Sequence, residues 1–394
     1  MILYSKRVVT LDGVKEAYVT IENGKIKKIS DSCDTDYIDY KDLIIMPGYI
    51  DIHIHGWATG SYWMEKSYES IYEMQKHLHK TGVTSFLATT GADSIEETIK
   101  YIKVANKAYK NPIKGAHMVG IHMEGPFISK EYKGLQKEEH CVNPDVELMQ
   151  KFYDTQEDKS MIKLMTLAPE LPNAKKLIVF NHQHNIQNSI GHSQASFECI
   201  KDLKEYGLGG VTHMFSGMKG FHHRDLSVVG SALYFEDLMC EFAKQSGMTI
   251  KHEAFDFVYR LKGEDRIYLC TDCQGMAQAK DSFYHYIRKE KFEPEGKKLK
   301  ITKDSGEITY LDPKDYDAVK ELEVSYEKSV INMMKHTKMN LVSLSKITSL
   351  NPAKYIHIDD KKGSITVGKD ADIIVLDDEY RIKTVYCKGE LMEK

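Results

Sequence analysis

A chain of 394 residues, 42% hydrophobic and 28% charged, is too long for one ordinary compact domain and has the balance of a globular protein able to bury a sizeable core. A formal net charge of −4 without any long Lys/Arg block removes the electrostatic case for nucleic-acid binding, yet leaves room for a local cationic pocket that takes a small phosphorylated molecule. No apolar run approaches the roughly 18 residues of a membrane helix, and the opening MILYSKRVVTLDG lacks the apolar core and cleavage site of a signal peptide. The seven cysteines are odd in number and scattered, which argues against a disulfide framework. The expectation is a reduced, cytoplasmic protein with no membrane and no nucleic acid among its partners.

Residues 1–46 read as short strands with turns at Asp12-Gly13 and Asn23-Gly24. The tail does the same: 363–367, a turn at Gly368-Lys369-Asp370, then 373–376 and 384–388 before Gly389. Asn-Gly and Asp-Gly between β-branched runs signal hairpins. Neither end has enough strands to bury a sheet alone, so the two are expected to pair. Residues 1–46 and 355–394 would form one small β-sandwich, with 47–354 inserted between them.

That middle alternates strands and helices. Apolar strand candidates are 49–55, 85–88, 118–123, 162–167, 188–192, 209–213, 238–242 and 267–271, the seventh being the weakest. Between the first two, Ile71, Met74 and Leu78 share one helical face. Between the second and third, Asp93 and Glu96 read as a capping box ahead of Ile95, Ile99 and Ile102. Eight strands alternating with helices predict a (β/α)8 TIM-type barrel rather than an open sheet. Residues 281–325 are highly charged and fit no barrel unit; they read as an insertion near the site or a surface excursion.

Barrel enzymes carry their chemistry at the C-terminal ends of the strands, and five candidate strands stop at such residues. The first ends in His53-Ile54-His55, whose imidazoles, two apart in a strand, point to the same side. The third ends in Glu124 before Gly125-Pro126, the fifth in His192, the sixth in His213 and the eighth in Asp272. Singly, each histidine is more simply a hydrogen-bonded core residue and each carboxylate an ion-pair partner; five on one rim converge on one cavity. Glu124, His192 and His213 offer one carboxylate and two imidazoles, a set that suits a divalent metal with an open position. Zn is favoured, with Fe, Mn or Co also allowed by the donors, and His53 with His55 allows a second ion. Asp272 follows an apolar strand where a carboxylate is costly unless it faces a cavity, a metal or a partner, so it is assigned as the general base. Cys270 and Cys273 flank it in a CxxC spacing that reads as incidental.

Six motifs occur in order: 47–56 (PGYIDIHIHG), 122–128 (HMEGPFI), 166–170 (TLAPE), Gly191-His192-Ser193, 212–215 (THMF) and 269–272 (LCTD). With Asn351-Pro352-Ala353-Lys354 and 362–376 (KGSITVGKDADIIVL), the chain closely resembles the N-acetylglucosamine-6-phosphate deacetylases of the amidohydrolase superfamily. The resemblance implies the same barrel-plus-sandwich fold, a metal on Glu124, His192 and His213, and Asp272 as acid–base. It also implies a sugar-phosphate substrate and a homodimer whose substrate sites are completed across the interface.

The resemblance weakens at the positions expected to read the substrate. The family's usual Lys-Gly-Ala-His is Lys133-Gly134-Leu135-Gln136 here, and its Asn-Ala-Met is Ser216-Gly217-Met218. Its Asp-Gly-x-His is Ser246-Gly247-Met248-Thr249, so a substrate-contacting histidine is missing. The small-residue motif opening a late helix is replaced by the charged 320–324, whereas His222-His223-Arg224 is kept, Arg224 being the expected phosphate contact. The expected activity is metal-assisted hydrolysis of the N-acetyl amide of N-acetylglucosamine 6-phosphate. Three alternatives stand beside it: N-acetylgalactosamine 6-phosphate or another N-acyl substrate, a different amidohydrolase such as a cyclic-amide hydrolase or deaminase, and a catalytically inactive binding or regulatory relative.

Overall fold

In the computed structural model, which describes residues 1–393, the apolar runs of the middle segment become eight parallel strands. They are Tyr49–Ile54, Val83–Thr90, His117–Glu124, Ile162–Leu167, Gln187–Ile190, Leu208–Val211, Met239–Ala243 and Ile267–Cys270. Each pairs with the next in sequence order, as parallel strands linked by helical crossovers must. The seam between the eighth strand and the first is closed at their C-terminal ends: Asp272 N donates to His53 O at 2.7 Å and His55 N to Cys273 O at 2.8 Å. Near the N-terminal ends of the strands, Ile50, Ile52, Met239 and Tyr268 pack with Tyr355, Ile356 and Ile358, all buried, which leaves the opposite rim free for polar residues.

The helix Tyr68–Leu78 buries Ile71, Met74 and Leu78 as their spacing predicts. The next, Ile95–Lys110, starts one residue later than the capping box at Asp93 implies. Ser94 is its N-cap, accepting from Glu97 N, and Ile95 is left exposed, while Asp93 instead accepts from Ser94 N and pairs with Lys66.

The two ends meet in one sheet. Ile2–Thr10, Gly13–Glu22, Lys25–Ser30 and Ile44–Pro47 join Ile373–Leu376 and Ile382–Cys387, with Ile44–Pro47 antiparallel to Ile373–Leu376. The sheet folds back on itself around Leu3, Val19, Ile45, Ile373 and Tyr386. Bonds from Ile26 N to Lys369 O and from Ala371 N to Gly24 O draw its arms together, so the layers of the sandwich are arms of one continuous sheet. The charged 281–325 segment forms a further antiparallel sheet, Phe283–His285, Glu290–Glu295, Lys298–Lys303 and Ile308–Leu311, followed by the helix Tyr316–Leu322. Phe292, Leu299, Ile301 and Leu311 are its buried hydrophobic side chains. No helix among the described residues is long and apolar enough to cross a membrane.

Candidate active site

All five strand ends singled out from the sequence converge on one cluster with Glu124 at its centre. Glu124 Oε1 lies 3.0 Å from His192 Nε2 and 3.2 Å from His213 Nε2, while Oε2 lies 3.1 Å from His55 Nε2. His53 Nε2 is 3.4 Å from Glu124 Oε1. Asp272 faces the same cluster from across the barrel seam, its Oδ1 at 3.5 Å from His53 Nε2 and 3.4 Å from His55 Nε2. Two triads therefore share one carboxylate: Glu124, His192 and His213 on one side, His53, His55 and Glu124 on the other.

The backbone explains why these side chains reach the cavity. His192, His213 and Asp272 stand just past the ends of their strands with φ of 50°, 33° and 46°, a left-handed conformation that turns the chain sharply and is disfavoured for any residue with a Cβ. Strain of this kind concentrates at functional sites.

The donor atoms fit a cation. His192 Nδ1 bonds Tyr132 O at 2.7 Å, His213 Nδ1 bonds Ser216 O at 2.8 Å and His53 Nδ1 bonds Glu241 Oε1 at 2.8 Å. Each outer nitrogen is thus the donor, and each inner Nε2 presents a lone pair to the cluster, as in metal-ligating histidines. His192 and His213 bring their Nε2 atoms to 3.1 Å of each other, a separation that a shared cation accommodates. Electrostatics agree. Burial works against ionising Glu124, but the imidazoles of His53 and His192 outweigh it and hold the carboxyl well below its usual range. Burial also opposes protonation of His53, yet Glu241, Glu124 and Asp272 push its pKa well above the ordinary value. The carboxylates draw positive charge into the cluster, whether as protons or as a metal ion. Asp272 is likewise disfavoured by burial as an anion and is held low by Lys244 and His53.

The neighbouring cavity is lined by Leu135, Gln136, Ser216, Gly217 and Thr249. Gln136 does not point to solvent: its Nε2 donates to Glu124 Oε2 at 2.7 Å and its Oε1 accepts from Ala92 N at 2.8 Å, which makes it a prop for the central carboxylate. His223 and Arg224 do not line this cavity. They sit exposed on a tight loop, closed by the Lys219–Asp225 ion pair at 2.7 Å and by reciprocal backbone bonds between His222 and Asp225.

Sequence reasoning did not single out five contributors. Glu241, buried in the seventh strand, holds His53 Nδ1 and accepts from His213 N and Tyr268 Oη. Lys244, just past that strand, lies 3.6 Å from Asp272 Oδ2. Trp63 and the 285–288 loop of the inserted sheet wall the mouth, so the charged segment is an insertion at the site. Glu323, within the charged 320–324 stretch, is buried and accepts from Gln274 N and Gly275 N. The one available signal was a charge inside the otherwise apolar run LMCEFAK. Cys270 and Cys273 are free and buried, and burial pushes both thiols well up, the character of packed rather than reactive cysteines.

Residues 44–392 match the profile of the Amidohydrolase family. N-acetylglucosamine-6-phosphate deacetylase of Bacillus subtilis (strain 168) is 30% identical over 386 residues, 96% of this chain and 93% of that protein. N-acetylgalactosamine-6-phosphate deacetylase of Escherichia coli O157:H7 is 24% identical over 99% of this chain and 98% of its own. Among solved structures, N-acetylglucosamine-6-phosphate deacetylase of Thermotoga maritima superposes with a TM-score of 0.79 at 27% identity, covering 100% of both chains.

Proposed function

The chain belongs to the amidohydrolase family, among its N-acetylglucosamine-6-phosphate deacetylases, and from that premise we propose that it hydrolyses the acetamide of N-acetylglucosamine 6-phosphate to acetate and glucosamine 6-phosphate. The observation that carries this reading is a ligand set gathered on Glu124, with the Asp272 carboxylate facing it across the barrel seam.

Glu124, His192 and His213 would hold a divalent metal, with Zn the preferred ion for this donor set and Fe, Mn and Co the alternatives. His53 and His55 supply a second position that shares Glu124. The bound ion would supply Lewis acidity, lowering the pKa of water toward about 7 and polarising an acyl carbonyl. Asp272 takes the proton from the attacking water and returns it to the departing nitrogen. Glu241 fixes the tautomer of His53, and Gln136 fixes Glu124. Trp63 and the 285–288 loop line the cavity.

Leu135, Ser216, Gly217 and Thr249 contact the sugar in this reading, and Arg224 takes the phosphate as a bidentate partner. The exposure of the His223-Arg224 loop, clear of its own cavity, suits a homodimer in which that loop completes the neighbouring site. The free cysteines suit a cytoplasmic enzyme of amino-sugar metabolism.

A second reading, N-acetylgalactosamine 6-phosphate as substrate, is favoured by the altered residues at 135–136, 216–217 and 249. Replacing groups that hydrogen-bond a sugar shifts specificity strongly. Acetate release measured on both epimers, with metal content determined on the same sample, separates the readings. Preference for the glucosamine epimer supports the proposal, and preference for the other epimer supports the second reading. No release from either substrate by metal-replete protein would point to an inactive binding relative.

A further inference from the structure

On four consecutive barrel strands, a residue with a bulky side chain stands just beyond the strand end in the left-handed backbone region. The strands end at Ile190, Val211, Ala243 and Cys270, and the residues are His192, His213, Lys244 and Asp272, with φ of 50°, 33°, 50° and 46°. This conformation is disfavoured for residues that carry a Cβ, and it persists where the surroundings hold it in place. Three of the four already belong to the chemistry. Lys244 is placed by the same backbone device and touches the chemistry only through its ion pair with Asp272.

We propose that Lys244 is a substrate-reading residue whose ammonium donates to a hydroxyl or ring oxygen on the amine half of the substrate, beside the scissile nitrogen. This rests on the acetamide-hydrolysis reading above. The position follows from Asp272. Its Oδ1 faces His53 and His55 at 3.5 and 3.4 Å, and its Oδ2 faces Lys244 Nζ at 3.6 Å. Asp272 must deliver a proton to the leaving nitrogen, so the amine half of the substrate comes to rest next to this carboxylate and within reach of Lys244. The side chain is only 11% exposed and lines the cavity. Its Nζ is ion-paired with Asp272 and makes no hydrogen bond among the described residues, so a largely desolvated cation keeps donors for a bound molecule. The same strand-seven loop carries Thr249 where the resemblance leads one to expect a substrate-contacting histidine. Lys244 restores a donor to this wall of the cavity from five positions earlier in the chain.

The test compares wild type, Lys244→Met and Lys244→Arg on two substrates, N-acetylglucosamine 6-phosphate and 4-nitroacetanilide. The anilide has the same acetamide but no hydroxyl or ring oxygen beside the nitrogen. The readout is the ratio of the two kcat/KM values, taken with KM, kcat and metal content. Lys244→Met should lower the ratio by about tenfold or more, with the change in KM for the sugar phosphate and metal content retained. Lys244→Arg should recover part of the ratio. A ratio unchanged by Lys244→Met, with both substrates slowed equally or neither affected, would overturn the assignment while leaving the activity in place. A wild-type enzyme that cleaves the anilide but no N-acetylated sugar phosphate would overturn the substrate reading, and the role of Lys244 with it.

Discussion

At the scale of single residues, function depends on which groups touch the Glu124 cluster and which only hold others in place. Asp272 is of the first kind. Asp272→Asn keeps the shape but cannot accept a proton, so turnover should fall by about 10²–10⁴-fold while metal analysis finds the ion still bound; a near-normal rate would remove Asp272 from the role. Glu241 is of the second kind, touching His53 rather than the cavity. Glu241→Gln should weaken metal affinity by roughly 10–100-fold, read by competition with a chromogenic chelator, and an unchanged affinity would mean that His53 does not depend on it. The residues that end an apolar strand were legible in the sequence, because HxH, Glu-Gly-Pro and a terminal Asp each interrupt a hydrophobic run at a place the barrel makes meaningful. Glu241 and Lys244 were not. Both lie in or beside a strand whose polar interruptions made it the weakest of the eight, and only the folded barrel shows that those charges face His53 and Asp272.

At the scale of elements, apolar runs located all eight barrel strands, which are buried on both faces, and periodicity located the face of the helix Tyr68–Leu78, since burial on one side leaves a repeat that sequence preserves. It placed the start of the second helix one residue early, because Asp93 and Ser94 are both competent caps and the choice depends on where Asp93 finds Lys66. Ser94→Ala should therefore cost about 1 kcal/mol in urea unfolding, and a neutral substitution would contradict the observed cap. The inserted sheet shows the opposite case. Its strands alternate locally, as in Lys291-Phe292-Glu293, but nothing in that alternation says that the loop at 285–288 lines the cavity.

At the scale of the whole molecule, the pairing of the two chain ends was readable because neither end could bury its own strands, whereas the single folded sheet they build was not. His117 lies at the start of the third barrel strand, close enough to Asp372 and Lys362 of the C-terminal segment to feel their charges. Burial pushes its imidazole down to about 4 from 6.5. Between those values the unfolded chain binds the proton and the folded protein refuses it. The contribution is present above about pH 6.5 and is lost as pH falls toward about 4. His117→Gln should flatten the fall of Tm over that window, and parallel profiles for wild type and variant would assign the acid sensitivity to other groups.

The claim on which all of this rests is that Glu124, His192 and His213 share one cation. Anomalous diffraction from crystals of the metal-loaded protein, recorded on either side of the metal's absorption edge, tests it most directly. The account predicts a peak about 2.0–2.2 Å from Glu124 Oε1 and from the Nε2 atoms of both histidines. A metal-loaded, active enzyme whose anomalous peaks all lie away from these three side chains would contradict it.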